Sequence, residues 1–300
     1  MLGIFFVVLA CLLWGIDGLI RYPLAASGQS AAKIVFSEHL LLVILMFPIV
    51  VKSFKRIWNA KFSHIVYFLI LGGFGSALST LCFTRAFNYI DPSQVIVLQK
   101  LQPLVAIFLA HFLLKEPIHK QFVIWALLCL IGAMLVVHSE LQMVFFEGDK
   151  WQNMLSHKRG LIGLILALVA VVGWGSATAF GRKLSISGYE EKEIMSLRFS
   201  FGLLSLFPLL FSGAIELDLS ATFVAKIFIL VILSGLLGMF FYYRGLKLIP
   251  ARLCTLVEMS YPFFAVVLNW IFLGARLDLF QICGGFVLLF ASTIIQLKHY

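Results

Sequence analysis

Residues 91–116 read DPSQVIVLQKLQPLVAIFLAHFLLKE, and this stretch decides the fold. Val95 to Leu114 is about 20 residues, enough to cross a hydrocarbon core of roughly 30 Å at about 1.5 Å of rise per residue. The span nevertheless carries Gln99, Lys100, Gln102, Pro103 and His111. A lysine in a lipid-facing span costs about 2.5–3.5 kcal/mol on insertion scales. The stretch therefore reads as a membrane helix that does not face lipid along its whole length and lines something polar.

Working outward, the other apolar runs fit the same picture. The chain is 300 residues, 62% hydrophobic and only 12% charged, with a mean hydropathy of +1.03. Soluble domains carry about 25% charged residues. The runs are near 20 residues rather than short and alternating, which selects α-helical spans over a transmembrane β-barrel. The expectation is an all-α polytopic membrane protein with ten spans: 2–20, 34–51, 64–84, 94–114, 121–139, 160–181, 194–213, 224–245, 252–273 and 278–297. The first run lacks a basic n-region and continues into Trp14-Gly15-Ile16-Asp17-Gly18, so it reads as a span rather than a cleaved leader. Residues 140–159 read as a polar linker, with Trp151, Met154 and Leu155 on one face of a short interfacial helix.

The formal charge of +9 is not read as nucleic-acid binding, because excess Lys and Arg in a membrane protein gather at helix ends and set orientation. With the N-terminus inside, 13 such residues fall in cytoplasmic connections and 8 on the other side, which places both termini in the cytoplasm. Cys11, Cys82, Cys129, Cys254 and Cys283 all lie in apolar runs without metal-ligand or disulfide spacing, and read as small packing residues.

The two halves of the chain match. Trp14-Gly15 and Trp174-Gly175 stand 160 residues apart, as do Glu38 and Arg198, and Pro48 and Pro208. At an offset of 159, Arg85 meets Arg244, Ile90 meets Ile249 and Pro103 meets Pro262. Residues 1–139 thus form one five-span repeat and 160–300 a second, with 140–159 between them. An odd number of spans per repeat makes the second copy enter the membrane from the opposite side, so the repeats are inverted. That arrangement recurs in secondary transporters, whose substrate site lies near the midplane between the repeats.

These features resemble the EamA family of the drug/metabolite transporter superfamily. The residues that carry the resemblance are Trp14-Gly15 and Trp174-Gly175, and Arg85 and Arg244 closing the third helix of each repeat. To these are added Pro103 with the exit Phe112 through Glu116, Gly132, and Gly284-Gly285. Gly274-Ala275-Arg276 departs from the family's acidic exit, and Asp17 and Lys100 are not general family features. The resemblance implies a multi-pass bacterial inner-membrane carrier of small organic metabolites that works as a monomer. Export of an amino acid or related zwitterion is favoured, and import of a nutrient such as a vitamin, nucleoside or cofactor is the alternative.

Ionisable residues inside spans are the first candidates for function. Lys100 lies about 10 Å into its helix by rise, with Gln99 and Pro103 sharing the adjacent face. Glu258 aligns with Gln99 in the second repeat, so the two repeats offer a cation and an anion one position apart. Two readings stand: a grip on a zwitterion, or a salt bridge between Lys100 and Glu258 that only holds helices together. A protonatable Glu258 would serve proton coupling. Glu38 and Arg198, at equivalent positions, read as helix-end charges or as a gate pair, with Arg198 able to clamp a carboxylate. Asp17, with Gly15 and Gly18 around it, reads as a gate or a helix contact. Trp14, Trp174, Tyr242 and Tyr261 offer aromatic lining. Pro103, Pro262, Gly15 and Gly175 are the hinge candidates. Gly72, Ser76, Thr80, Gly235 and Gly238 read as close-packing positions.

Other classes are poorly supported. The sequence has no HExxH, no Gly-x-Ser-x-Gly and no phosphate-binding loop, and Glu38-His39 are adjacent and so diverge on a helix. No cofactor, metal site, enzymatic activity or nucleic-acid partner is expected. The expected partners are a small-molecule substrate, the lipid bilayer and, if transport is coupled, protons.

Overall fold

The computed structural model describes residues 2–115, 120–138, 153–213, 215, 220–248, 257, 260–274 and 277–298. Every regular element among them is helical. In order they are α1 (Leu2–Ala26), α2 (Ala31–Leu45), α3 (Phe47–Ile57), and α4, which joins Phe62–Leu69, Ile70–Leu78 and Ser79–Ala86. Next come α5 (Pro92–Leu98), α6 (Gln102–Leu114), α7 (Lys120–Val136), α8 (Asn153–Ile186), α9 (Glu191–Leu206) and α10 (Pro208–Phe211). The last are α11, which joins Ala221–Leu230, Val231–Gly238 and Met239–Leu248, then α12 (Ser260–Leu273) and α13 (Leu279–Lys298). Among the described residues six helical runs are long and apolar enough to cross a membrane, and α2 with α3 makes a seventh if that bent pair is one span. Shorter apolar helices lie at Gln121–Val136, Phe263–Leu273 and Leu279–Ile295.

Local chemistry explains where the helices break. The span expected at 34–51 bends by 86° between α2 and α3. Pro48 sits in the first turn of α3, where it lacks an N–H to continue the α2 ladder. The opening stretch is broken in a related way. Asp91 caps α5 through a capping box with Gln94, and Gln99–Leu101 then tighten into a 3-10 turn. Pro103 cannot donate to the Gln99 carbonyl four residues back, which releases the backbone there. Ile70–Leu78 in α4 and Val231–Gly238 in α11 widen into π-helical turns. The two widened turns fall at equivalent places in the two halves, and π-turns inside α-helices are frequent at functional sites. α8 begins at Asn153, so the later part of the expected linker is helical.

Helices of the first half pack against helices of the second half. A side chain built on Gly132 of α7 would lie 2.7 Å from the Leu288 nitrogen of α13, and one on Gly284 would lie 2.7 Å from the Gly132 oxygen. These two helices therefore touch backbone to backbone, as small residues allow in membranes. α1 crosses α12 at Gly15, against Phe264 and Ala265, and α8 crosses α6 at Gly175, against Val105 and the Gln102 oxygen. The two crossings involve equivalent residues. α1 runs unbroken through Gly15, so both glycines act here as contact points. The outward faces carry Phe5, Phe108, Phe112, Ile131, Trp270 and Phe286, all exposed, which suits a lipid solvent.

Candidate functional site

The most enclosed charged cluster is built on Arg21 of α1. Arg21 stands one turn after Asp17, so their side chains share a face. Its Nε donates to Asp17 Oδ1 at 2.6 Å and its Nη2 to Asp17 Oδ2 at 2.9 Å. Across the interface, Nη1 and Nη2 donate to Glu38 Oε2 and Oε1 of α2 at 2.8 and 2.6 Å. Nη1 also donates to Thr84 Oγ1 of α4 at 3.1 Å. The side chains of Arg21, Glu38 and Asp17 keep 5%, 8% and 13% of their surface. This is a bidentate fork–fork arrangement, the strongest geometry open to arginine and carboxylate. Two carboxyl groups share one guanidinium.

The cluster reaches the second half through Asp17. Ser234 of α11 donates from Oγ to Asp17 Oδ2 at 2.8 Å. Trp14 Nε1 donates to the Ser234 carbonyl at 3.2 Å. Ser234 lies in the π-helical turn of α11, where the backbone is less regular and can present such groups. The widened turn is thus tied to α1 by a hydroxyl and an indole.

Beside this cluster is an aromatic wall. Trp14 packs at 5.4 Å against Tyr242 of α11, and both join Tyr261 and Phe264 of α12 around Val7 and Cys11. Lys100, in the 3-10 turn, lies 5.3 Å from the Tyr261 ring centroid, close enough for a cation–π contact. The Tyr261 hydroxyl is within hydrogen-bonding reach of Gln99. Gln99 and Lys100 are both buried. Trp174 of α8 packs at 5.1 Å on Phe83, and Tyr261 also borders that second cluster. Trp14, Tyr242, Tyr261, Gln99 and Lys100 are therefore gathered on one wall, with Trp174 behind it.

Other candidates are placed elsewhere. Glu38 meets Arg21 rather than Arg198, whose Nη2 donates to the Gly75 carbonyl of α4 at 3.1 Å. His39 spans Val35 O at 2.9 Å and Ser76 Oγ at 3.1 Å. Glu258, and the side chains of Pro103 and Pro262, lie outside the described residues, as does Trp151. Sequence reasoning missed Arg21, Thr84 and Ser234. Arg21 fell just beyond the expected end of the first span and was counted as a loop charge. Its spacing of four from Asp17 was the available signal.

One end of the molecule carries a second ion pair. Arg56 Nη1 at the end of α3 donates to Glu193 Oε2 of α9 at 2.6 Å, and Nη2 donates to the Gly188 carbonyl at 2.8 Å. The guanidinium also lies 4.5 Å from the Tyr189 ring centroid, and His64 Nδ1 meets the Tyr189 hydroxyl at 3.1 Å. Nearby, a hydrogen bond from Lys192 holds the exposed Glu190 carboxyl below the usual carboxylate range. An apolar groove of about 460 Å³ beside the π-turn of α4, lined by Gly73, Phe74, Ala77, Ser205 and Leu209 among others, contains none of the candidate residues.

Comparison with known proteins matches residues 1–138 and 161–297 to the EamA-like transporter family. A riboflavin transporter, ImpX, of Fusobacterium nucleatum subsp. nucleatum is 29% identical over 296 residues, covering 96% of this chain and 95% of that protein. An uncharacterized transporter of Clostridium kluyveri is 24% identical, covering 97% and 92%. A solved crystal structure that is 15% identical superposes with a TM-score of 0.56, covering 99% of this chain and 96% of that one. At that identity the superposition speaks for the fold alone.

Proposed function

This chain belongs to the EamA-like transporter family, and from that premise we propose that it is a secondary carrier for a flat, ring-bearing nutrient of the riboflavin type. It is a multi-pass membrane protein and a transporter by family. The observation that carries the substrate reading is the aromatic wall of Trp14, Tyr242 and Tyr261, with Lys100 beside the Tyr261 ring. Aromatic side chains bind planar rings through stacking and edge contacts. Gln99 and Lys100 add hydrogen-bond donors at the same wall. The near full-length likeness to a riboflavin transporter supports this choice.

In this reading seven longer spans and three shorter apolar helices make ten crossings, arranged as two inverted repeats of residues 1–139 and 160–300. The equivalent crossings at Gly15 and Gly175 support that arrangement. Both termini lie in the cytoplasm of a bacterial inner membrane, and the Arg56–Glu193 pair closes the cytoplasmic mouth. The monomer is the working unit. Alternating access exchanges the repeats around the wall, with or without proton coupling.

A second reading is export of an amino acid or related zwitterion. It is favoured by one pairing in the sequence, Lys100 with Glu258 at neighbouring positions of the two repeats. Counterflow in proteoliposomes separates the two. The riboflavin reading predicts saturable exchange of labelled riboflavin, reduced at least tenfold by Tyr261→Ala or Lys100→Ala in folded protein. Exchange of amino acids with none of riboflavin would replace it with the second reading.

A further inference from the structure

Asn269 of α12 is fully buried, and neither its Oδ1 nor its Nδ2 has a hydrogen-bond partner among the described residues. It faces α1 at Gly18: a side chain built on Gly18 would lie 3.3 Å from Asn269 Oδ1 and 3.9 Å from Ile96 Cδ1 of α5. Three helices therefore meet around this amide. Gln99 lies three residues beyond Ile96, one turn or about 4.5 Å further along. It is also buried, and its Nε2 is without a partner among the described residues. An orphan carboxamide on α12 thus meets the helical stretch that carries Gln99, whose own amide nitrogen is unpaired among the described residues and which lies beside the Tyr261 wall.

Packing does not explain the amide. At the repeat offset of 159, Asn269 corresponds to Ala110, which is buried on α6 with only a methyl group. The fold thus tolerates an apolar residue at this position. A buried polar group without a partner is costly, and water in a membrane interior is scarce. Such groups in native structures call for an explanation, and a function is one. A carboxamide offers one acceptor and one donor side by side. Its complement is a cis-amide edge, with a ring carbonyl next to a ring N–H.

We propose that Asn269, assisted by Gln99, is a specificity residue that reads the carbonyl and N–H edge of a cyclic imide or lactam in the substrate. The inference rests on the riboflavin-type reading and deepens it, since the pyrimidine-like ring of a flavin presents such an edge. The amide is enclosed in this conformation, so α12 must move off Gly18 when the substrate loads. A site built to hydrogen-bond a substrate N–H rejects an analogue that lacks it far more strongly than a purely apolar pocket can.

The test is counterflow in proteoliposomes with riboflavin and with N3-methylriboflavin, which has the same ring but no imide N–H. Wild-type protein should prefer riboflavin at least tenfold. Asn269→Leu, similar in size and apolar, should move both at rates within about twofold of each other. Its melting temperature should be equal or higher, because no polar group is left orphaned. Equal handling of the two flavins by wild-type protein overturns the inference without any variant being needed, and so does a preference retained in Asn269→Leu. In both cases the carrier reading stands. If wild-type protein moves neither flavin, the substrate reading falls and the inference falls with it.

Discussion

Two ion networks in this molecule use the same chemistry to different ends. Arg21, Asp17 and Glu38 lie inside the helix bundle, nearly without solvent contact. Arg56 and Glu193 lie at one end, with 42% of the arginine side chain exposed. Both join an arginine to carboxylates at 2.6 Å. In the interior, removing one partner leaves a buried charge uncompensated. At the other end Arg56 is open to water, but Glu193 keeps only 11% of its side-chain surface and has the Glu190 N–H as a further donor. The inner network is therefore enclosed on all its partners, whereas the outer one is enclosed on its carboxylate side and open on its arginine side.

The largest effect should come from Arg21→Met, which leaves two buried carboxylates facing each other. Breaking a buried pair in this way costs about 3–5 kcal/mol. Thermal unfolding in detergent should show a loss of that order, and a loss below about 1 kcal/mol would place the network in a wetter setting than its exposure indicates. Asp17→Asn should come next. It keeps the size and can still accept from Ser234, but removes one of the two carboxyl groups that hold Arg21. We expect the fold to persist while the transport rate falls several-fold, measured as flux at equal protein reconstitution.

Arg56→Ala tests the other side of the comparison. Glu193 is buried, so the cost should exceed the roughly 0–1 kcal/mol of a fully exposed pair, but Arg56 is open to water and the loss should be smaller than for Arg21→Met. A cysteine placed at Gly188 should instead become more reactive to a water-soluble maleimide, because the link between α3 and the start of α9 is gone. High salt should mimic this change for the outer pair and leave the inner one intact. The smallest effect concerns Glu190. Its carboxyl is held low by the hydrogen bond from Lys192, so its contribution to stability is present at neutral pH and is lost as pH falls through the depressed value. Lys192→Ala should lower stability only slightly at pH 7, and the difference from wild type should vanish in acid, where the Glu190 carboxyl is protonated in both proteins. A large drop at neutral pH, or a difference that persists in acid, would contradict this reading of an exposed pair.

Much of the architecture was legible in the sequence because it rests on long apolar runs. Gly15 and Gly175 were legible as a pair, and the structure uses both as crossing points. The breaks at Met46 and Gln99 follow from Pro48 and Pro103, whose missing N–H groups can be read directly. What hid was side-chain pairing across helices. Glu38 aligns with Arg198 in the repeat, which invited a pair, yet Arg21 is the cation that reaches it. Hydropathy places a residue along the membrane normal but leaves its direction around the helix open, and direction decides partners. Asn269 was hidden for another reason: a single amide in an apolar run carries little sequence signal, and only the absence of a partner around it draws notice.

The central claim is that the aromatic wall with Lys100 carries a planar nutrient across the membrane. The most direct test is counterflow of labelled riboflavin in proteoliposomes, comparing wild-type protein with Tyr261→Ala at matched folding. We predict saturable exchange by the wild type and at least a tenfold loss in the variant. Riboflavin exchange that is unchanged by Tyr261→Ala, or absent from the wild type, would contradict the account.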